Sequence, residues 1–594
     1  MRESVTPARA ALASLTAVGL AWTLPFLAPF HSFVLPGFYN EWLAFAFGLA
    51  ACTLLLHAGV RQRLQIPRFA LVPLGLMAVI LLQLLLGRIV YAEQGLLAML
   101  YLLWACALIL LGSALRGVLG AEVIARTLAW WLLCGGVAAA LWALLTHYEV
   151  AIPLGPYTIN FQTRDLTVRG TIGQPNHFAD YLALALASLA YLVANRRLGA
   201  VAAIIAASMV LLAMALTGSR STWLYCAALP LLSLWLRWRR PGAPASRLLV
   251  CSVLIFAGFA VMHWVASLPF MRPERAVVAV DRLFDLVQGP SWRLQLWREA
   301  WSAFLAAPLL GAGLGQFGWI HFQSAAQAGP NGIGLCHQAH NFVMQLLAET
   351  GISGALIVAA GAVVWIAGLK RLAPDLHSWW LFAVLAVIAI HSQFEYPLWY
   401  ANFLGVAALL LGVGAGQFVE SGARALRPSS IALALATGWF VALTTLASYR
   451  DFDLLLNAAD AAAATAPAKR DFAAELLKIR SESLLTPQVE LAIAIAITPD
   501  AASLREKLEL NTRIMRFWPA ARVAYQQAML LLLNGERTAA LAQMRDAASA
   551  YPAELEEFAR GLAALDAASR EVSAPLREFA AGRLQGHAGA APGR

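Results

Sequence analysis

Apolar runs of roughly 17–25 residues recur along the first 447 positions of this chain, each long enough to cross a bilayer as a helix. They fall at 10–30, 40–59, 69–87, 95–115, 126–146, 176–195, 198–216, 221–236, 248–268, 350–369, 379–394, 399–418 and 429–447. The pattern predicts an all-α, polytopic membrane protein of about thirteen transmembrane helices. Met1–Ala10 has the positively charged start of a signal peptide. No small-residue cleavage site follows it and further spans do, so 10–30 reads as a retained first span.

The basic residues fall largely between the spans, and their alternation orients them. With Arg2 and Arg9 in the cytoplasm, Arg61/Arg63/Arg68, Arg116, Arg196/Arg197, Arg237/Arg239/Arg240, Lys370/Arg371 and Arg424/Arg427 all fall inside. The expected location is a bacterial inner membrane. Of the segments that then face the periplasm, three matter for function: 147–175, the long loop 269–349, and the short link His391–Tyr400. Everything after the last span is outside as well.

The hydrophobic pattern changes at that point. Residues 1–447 read as a membrane domain; residues 448–594 are Ala-, Leu-, Glu- and Arg-rich with helical periodicity. Trp518-Pro519, Tyr525, Ala528, Gly535, Ala539–Leu541 and Tyr551-Pro552 resemble tetratricopeptide-type hairpins, with small residues at helix crossings and a glycine turn. A plain helical bundle reads the same residues equally well. Gly586–Arg594 has the composition of a disordered tail.

Composition narrows the class. Of 594 residues, 60% are hydrophobic and 13% charged, against about 25% charged in soluble domains; mean hydropathy is +0.67. The net charge of +10 is explained by positive-inside topology. With no basic groove carrying aromatic platforms, no nucleic-acid partner is expected. Of six cysteines, Cys52, Cys106, Cys134, Cys226 and Cys251 lie in or beside apolar runs, and Cys336 stands in a polar stretch. None has metal-ligand spacing.

Polar residues at the edge of a membrane core are costly and therefore functional candidates. Four clusters qualify, and all fall on the expected outer side. The first is Arg169 followed by Gly170-Thr-Ile-Gly173-Gln174-Pro175-Asn176-His177; Gln174 and Asn176 offer neutral hydrogen bonds at a helix start, where an ordinary cap, with Asn176 as N-cap, is the simpler account. The second is Thr217-Gly218-Ser219-Arg220-Ser221. The positive-inside bias disfavours an Arg there, so an anion would hold it, unless it snorkels to headgroups. The third is Ser291-Trp292-Arg293 through Trp297 and Trp301, then Pro308 and Gly311-x-Gly313-x-Gly315. Trp297 and Trp301 share a face, as a helix lying on the membrane requires. The glycine run follows no strand and so does not make a dinucleotide fingerprint. The fourth is His337-Gln-Ala-His340-Asn341, leading to Glu349-Thr-Gly351. Two histidines three apart lack a third ligand at a convincing spacing, so no metal is expected. A His at a membrane–water edge suits general-base work. The His391-Ser-Gln-Phe-Glu395-Tyr396-Pro397 link adds an acid and a phenol.

Cations, a base, neutral hydrogen bonders and no evident metal fit an anionic leaving group such as a pyrophosphate, and an attacking hydroxyl. A transporter of lipid-linked glycans is the alternative, although it should need polar residues through the spans to both faces.

In this order the clusters resemble the O-antigen ligase / O-antigen polymerase (Wzy) superfamily, with its glycosyltransferase GT-C-like membrane fold, over roughly 170–400. Within it, Gln174-Pro175-Asn176, Glu395-Tyr396-Pro397-Leu398 and the helical C-terminal extension resemble PglL-type protein O-oligosaccharyltransferases. The resemblance implies en bloc transfer of a glycan from undecaprenyl pyrophosphate to a Ser or Thr of a periplasmic or pilus protein, without cofactor or metal. It implies His340 as the catalytic base, Arg220 and Arg293 on the pyrophosphate, and Gln174 and Tyr396 as essential polar partners. Asn176, Glu395, Asn341, Arg169 and His337 are the further substrate contacts expected. The runner-up is an O-antigen ligase acting on lipid A–core; a polymerase comes third.

Overall fold

A backbone in hydrocarbon must satisfy its hydrogen bonds internally, and apolar runs of this length do so as helices. A computed structural model of the protein has that architecture. It describes residues 6–31, 35–62, 64–154, 157–160, 168–268, 271, 292–328, 334–420, 427–462, 466–563 and 571–588. Arg2, Arg63, Arg424, most of the 269–291 stretch of the long loop and residues 589–594 of the expected tail lie outside the described residues.

The longer helices of the membrane portion are α1 (Pro7–Ala21), α2 (Phe38–Cys52), α3 (Leu71–Leu85), α4 (Ala92–His147), α5 (Pro175–Ala194), α6 (Ala200–Leu216), α7 (Ser221–Arg239) and α8 (Ala243–Ser267). After them come α9 (Trp292–Ala306), α10 (Phe317–Ala328), α11 (Phe342–Gly368), α12 (Leu376–His391), α13 (Ala401–Val413) and α14 (Pro428–Ala462). The C-terminal helices are α15 (Ala466–Glu482), α16 (Thr486–Ala496), α17 (Leu504–Phe517), α18 (Ala521–Leu533), α19 (Arg537–Ala550), α20 (Leu555–Ala563) and α21 (Ala574–Ala588). Strand structure among the described residues is one antiparallel hairpin, β1 (Ala151–Leu154) with β2 (Tyr157–Asn160), Ala151 facing Asn160.

The protein is thus an all-α, multi-pass membrane protein. Each expected span falls on a described helix. Among the described residues, eight helical stretches are long and apolar enough to cross a membrane, and Ala200–Leu216, Leu376–His391 and Ala401–Val413 are shorter apolar helices. The two spans expected at 95–115 and 126–146 form one helical run, α4, broken at Gly120 (φ 76°, ψ 162°). Gly120 permits a backbone that a side chain would oppose, so the reversal beside Arg116 needs no loop.

The helices cluster into two units: 1–77, 100–291 and 356–443, and 78–99, 292–355 and 444–594. In the first, α5 is the central helix. Pro175 at its N1 position starts it, Gln174 caps it, and Phe178 through Leu192 are almost wholly buried. Three arginines expected on the cytoplasmic side donate to backbone carbonyls at and just beyond the end of α13: Arg116 to Val413 and Ala415, Arg371 to Gly416 and Arg68 to Phe418. Arg247 donates to Ala194, the last residue of α5, one of the orphan acceptors that a helix C-terminus leaves.

In the second unit, α17, α18 and α19 form successive hairpins. Ala528, Ala540 and Ala547 are fully buried at the crossings, and Gly535 (φ 85°) makes the turn before α19. Tyr525 donates to the Tyr551 carbonyl at 2.8 Å, and the Tyr551 hydroxyl donates to the Pro519 carbonyl. Asn511 donates to Val523 O at 3.0 Å and to Gln527 at 2.7 Å.

Candidate functional site

The expected site residues divide between the two units. Within the first, the backbone turn 170–173 is set by glycine. Gly170 and Gly173 have φ of 57° and 79°, and a Cβ on Gly170 would lie 2.6 Å from the Phe178 ring. His31 Nε2 bonds the Thr171 carbonyl at 2.8 Å, and Thr171 Oγ1 donates to Phe26 O at 2.5 Å. This delivers Gln174 to the N-terminus of α5, where its Oε1 accepts from the His177 N–H at 2.5 Å. The cap is therefore Gln174, not the Asn176 that the simpler account named. Asn176 is left to reach across: its Nδ2 donates to Glu395 Oε1 at 2.7 Å, joining the first cluster to the His391–Tyr400 link.

Aromatic contacts complete this group. The His177 ring lies 5.1 Å from His391, 5.7 Å from Tyr396 and 4.9 Å from Tyr400, centroid to centroid. Tyr225 OH and His391 Nδ1 are 2.6 Å apart. Arg220 opens α7, one turn before Tyr225. Val168 N–H donates to Leu216 O at 3.4 Å, which sets the Arg169 segment beside the Thr217–Arg220 turn. Clusters one, two and the short link are thus brought together in one unit. One residue of this unit was missed by sequence reasoning: Asp180, fully buried, with no hydrogen-bond partner for either carboxylate oxygen among the described residues. The cost of an intramembrane acid would have flagged it.

Within the second unit, Arg293, His340 and Asn341 are brought together. Trp292 touches both candidates: its ring is edge-to-face with His340 at 4.8 Å, and the Arg293 guanidinium stands over it at 4.6 Å. His340 has φ 50°, in the left-handed region that a non-glycine residue rarely occupies. Its neighbours impose this. Ala339 N–H donates to Gln345 Oε1 at 2.6 Å, and Asn341 Oδ1 caps α11 by accepting from Met344 N–H at 3.0 Å. Backbone strain held by surrounding hydrogen bonds is a feature of functional sites.

The glycine run proves to be a strap around the kink of α11. Gly351 (φ 64°) breaks that helix, and the 308–315 backbone docks there. Ala312 N–H bonds Ala348 O at 2.9 Å, Gly313 N–H bonds Glu349 O at 3.2 Å, and Ile352 N–H bonds Pro308 O at 2.8 Å. A Cβ on Gly311 would lie 2.3 Å from the Glu349 carbonyl carbon, and one on Gly313 2.4 Å from the Arg88 oxygen. The buried Gln83 fastens the strap, donating to Leu310 O and Glu349 O at 2.7 Å each and accepting from Leu314 N–H at 3.2 Å.

α9 buries Leu296, Glu299, Ala300 and Ala303 and leaves Leu294, Trp301 and Leu305 exposed. Trp301 is therefore on the outward face as expected, while Trp297 is half-buried. Sequence reasoning also missed the pair Glu299–His321. His321 Nδ1 lies 2.7 Å from Glu299 Oε2 and its Nε2 2.8 Å from Gly334 O. A carbonyl only accepts, so Nε2 carries a proton. The Glu299–Nδ1 contact then holds a second, shared between carboxyl and imidazole. His337 is packed rather than open. Its ring lies against Trp518, centroids 3.8 Å apart and planes tilted by 37°, and burial, with the nearby His321 second, pushes its pKa down to about 4.

Three consecutive stretches match known families. Residues 170–193 match the protein glycosylation ligase family, 205–359 the O-antigen ligase family, and 379–563 the C-terminal part of virulence-factor membrane-bound polymerases. Fold and matches define the class: the chain is similar to the O-antigen ligase superfamily and, within it, to its protein-glycosylating members. It is 27% identical over 465 residues, 76% of this chain and 77% of the relative, to a general O-oligosaccharyltransferase of Acinetobacter baylyi. It is 22% identical over 343 residues, 58% of this chain and 60% of the relative, to a ComP-specific O-oligosaccharyltransferase of the same organism. These relatives support a glycosyltransferase active in protein O-glycosylation.

Proposed function

We propose that this protein is an O-oligosaccharyltransferase of a bacterial inner membrane, moving a glycan en bloc from undecaprenyl pyrophosphate to a Ser or Thr of a periplasmic or pilus protein. The observation that carries this is the Arg293–Trp292–His340 group. A strained, hydrogen-bond-fixed histidine and a guanidinium flank one indole, in a segment that matches the O-antigen ligase family. In the reaction the acceptor oxygen bonds to the anomeric carbon as the bond from that carbon to the pyrophosphate oxygen breaks. His340 takes the hydroxyl proton, and the electron pair leaves on undecaprenyl pyrophosphate. Arg293 and Arg220 neutralise that leaving charge. Gln174, Asn176, Tyr396, Glu395, Asn341 and Arg169 are the assigned substrate contacts. Residues 1–447 form the transferase domain and 448–594 a periplasmic, tetratricopeptide-like domain.

The O-antigen ligase match favours a second reading, with lipid A–core as the acceptor. Purified protein supplied with lipid-linked oligosaccharide and either a pilin-like protein or lipopolysaccharide core separates the two. Glycosylated protein is the expected product; glycan on the core alone replaces the reading with the second. Transfer is expected to persist in EDTA, and abolition by chelation with restoration by Mg²⁺ overturns the metal-independent mechanism.

A further inference from the structure

Trp518 ends α17, its N–H bonded to Ile514 O at 2.6 Å, and Pro519 and Ala520 lead directly into α18. Its indole is therefore carried by the helical hairpins of the C-terminal region, whose packing includes the Tyr525–Tyr551 and Tyr551–Pro519 bonds. The ring it packs against, His337, tilted by 37° to it, lies also against α10: a Cβ on Gly318 would come 2.5 Å from His337 Nδ1. That position is open to the imidazole because residue 318 has no side chain. Three residues further on stands His340, with its φ of 50°. Residues 337–341 form no helix or strand, so no regular hydrogen bonding fixes the path between the two histidines. The far side of this path is held by the Ala339–Gln345 and Asn341–Met344 bonds. The near side is held by the His337 ring.

We infer that Trp518 and His337 form a clamp through which the C-terminal helical hairpins position His340. The inference rests on the proposed role of His340 as base. It gives His337 a different task from the substrate contact expected of it. The ring acts by its volume, not by its nitrogens. In keeping with this, the low pKa keeps the imidazole uncharged at physiological pH. His337 and Trp518 are positioning residues; no bond to the glycan or acceptor forms or breaks at either. A misplacement of the base by about 1 Å is worth roughly 10²-fold in rate.

The test uses the full chain in nanodiscs, with lipid-linked oligosaccharide and a pilin-like acceptor. Trp518→Ala and His337→Ala are expected to lower kcat by about 10–100-fold while the donor KM stays within about threefold. His337→Phe and Trp518→Phe keep two rings in contact and are expected to restore kcat to within a few-fold of wild type. The double alanine variant is expected to be no slower than the slower single one, because the two rings form one contact. Cys336, next to His337, reports the local order independently of activity: its alkylation rate, mapped by mass spectrometry, should rise in both alanine variants and not in His337→Phe. A His337→Phe enzyme as slow as His337→Ala overturns the clamp, because the nitrogens would then matter. So does a Trp518→Ala enzyme within twofold of wild type. Should Trp518→Ala unfold the hairpins, seen in its melting curve, the Phe–Ala comparison at 337 decides alone. If His340→Ala retains turnover, the base assignment falls, and the clamp is then judged on the Cys336 rates.

Discussion

A guanidinium presents a planar fork of donors whose charge persists at every physiological pH, which is what a pyrophosphate leaving group needs. Arg293→Ala and Arg220→Ala should each cut transfer by about 10²–10³, the usual worth of one donor to developing negative charge. Lys at either position should restore only part of it, lacking the bidentate fork. Turnover assays on folded variants check this, and near-wild-type rates in both Ala variants remove the arginines from the leaving-group role. His340 is tested by the shape of the pH profile. A base must be neutral, so transfer should rise with pH across the range in which imidazole gives up its proton, then level off. A cationic clamp on pyrophosphate would instead lose rate over that range. Single-turnover transfer measured from mildly acidic to mildly basic pH, with donor binding followed separately, distinguishes them. A falling limb, together with lost donor binding in His340→Ala, leaves the enzyme without its base.

At the scale of elements, the glycine strap and the Gly535 turn of the C-terminal hairpins use glycine for different reasons. Gly351 has φ 64°, and a Cβ there would meet Leu309 and Gly311 backbone atoms at 2.6 Å, whereas Gly535 has φ 85° with nothing within 4 Å. Gly535→Ala therefore carries only the conformational cost, about 1–2 kcal/mol. Gly351→Ala must also displace backbone, and its melting temperature should fall further than that of Gly535→Ala; equal losses would mean that the strap is not closely packed. A second element-scale prediction concerns Glu490, buried at the meeting of three donors. Tyr91 OH reaches it at 2.6 Å, Arg480 at 2.6 Å and Arg513 at 2.9 Å. Burial pulls its pKa up, but the bonds from Arg513, Tyr91 and Arg480 outweigh this and leave it below the ordinary carboxylate value. The stability it contributes is present above the unfolded carboxyl pKa, about 4.3, and is lost as pH falls through the lower folded value. Melting between pH 6 and 3 should show a downward step that Glu490→Gln lacks. Much of this was legible in the sequence and some was not, for a physical reason. Spans announce themselves by length and apolarity, and Gln174, Arg293 and His340 by polarity out of place. The strap does not: Gln83 lies within an apolar run, and its partners are backbone carbonyls more than two hundred residues away, 227 and 266. Glu299 and His321, 22 residues apart, become a pair only when α9 and α10 pack.

Over the whole molecule, the grouping of segments carries topological information. Three stretches that the arginine alternation assigns to one side of the membrane are joined within one unit. The 87–95 link contributes Arg88 to the Gly311 carbonyl and Tyr91 to Glu490; the long loop contributes His337 to Trp518 of the C-terminal region. The stretches assigned to the opposite side are joined within the other unit, by the bonds of Arg68, Arg116 and Arg371 to residues 413–418. Contacts of this kind require the joined segments to share a side, but they do not say which side is the periplasm. The proposed orientation rests on the arginines, because the excess of Lys and Arg stays in the cytoplasm. Orientation matters to function, since a lipid-linked glycan and an exported protein acceptor meet only outside. In a background with the six native cysteines replaced, Leu310→Cys and Asp500→Cys should react with a membrane-impermeant maleimide applied to the periplasmic face, and Trp238→Cys should react only after the membrane is permeabilised. Labelling at 310 and 500 together, with 238 protected, is the expected pattern. Protection of 310 with labelling of 238 would invert the protein and put Arg293 and His340 in the cytoplasm, on the wrong side of the membrane for their substrates. Labelling of 310 with protection of 500 would place the long loop and the C-terminal helices on opposite sides, which the contact of His337 with Trp518 forbids.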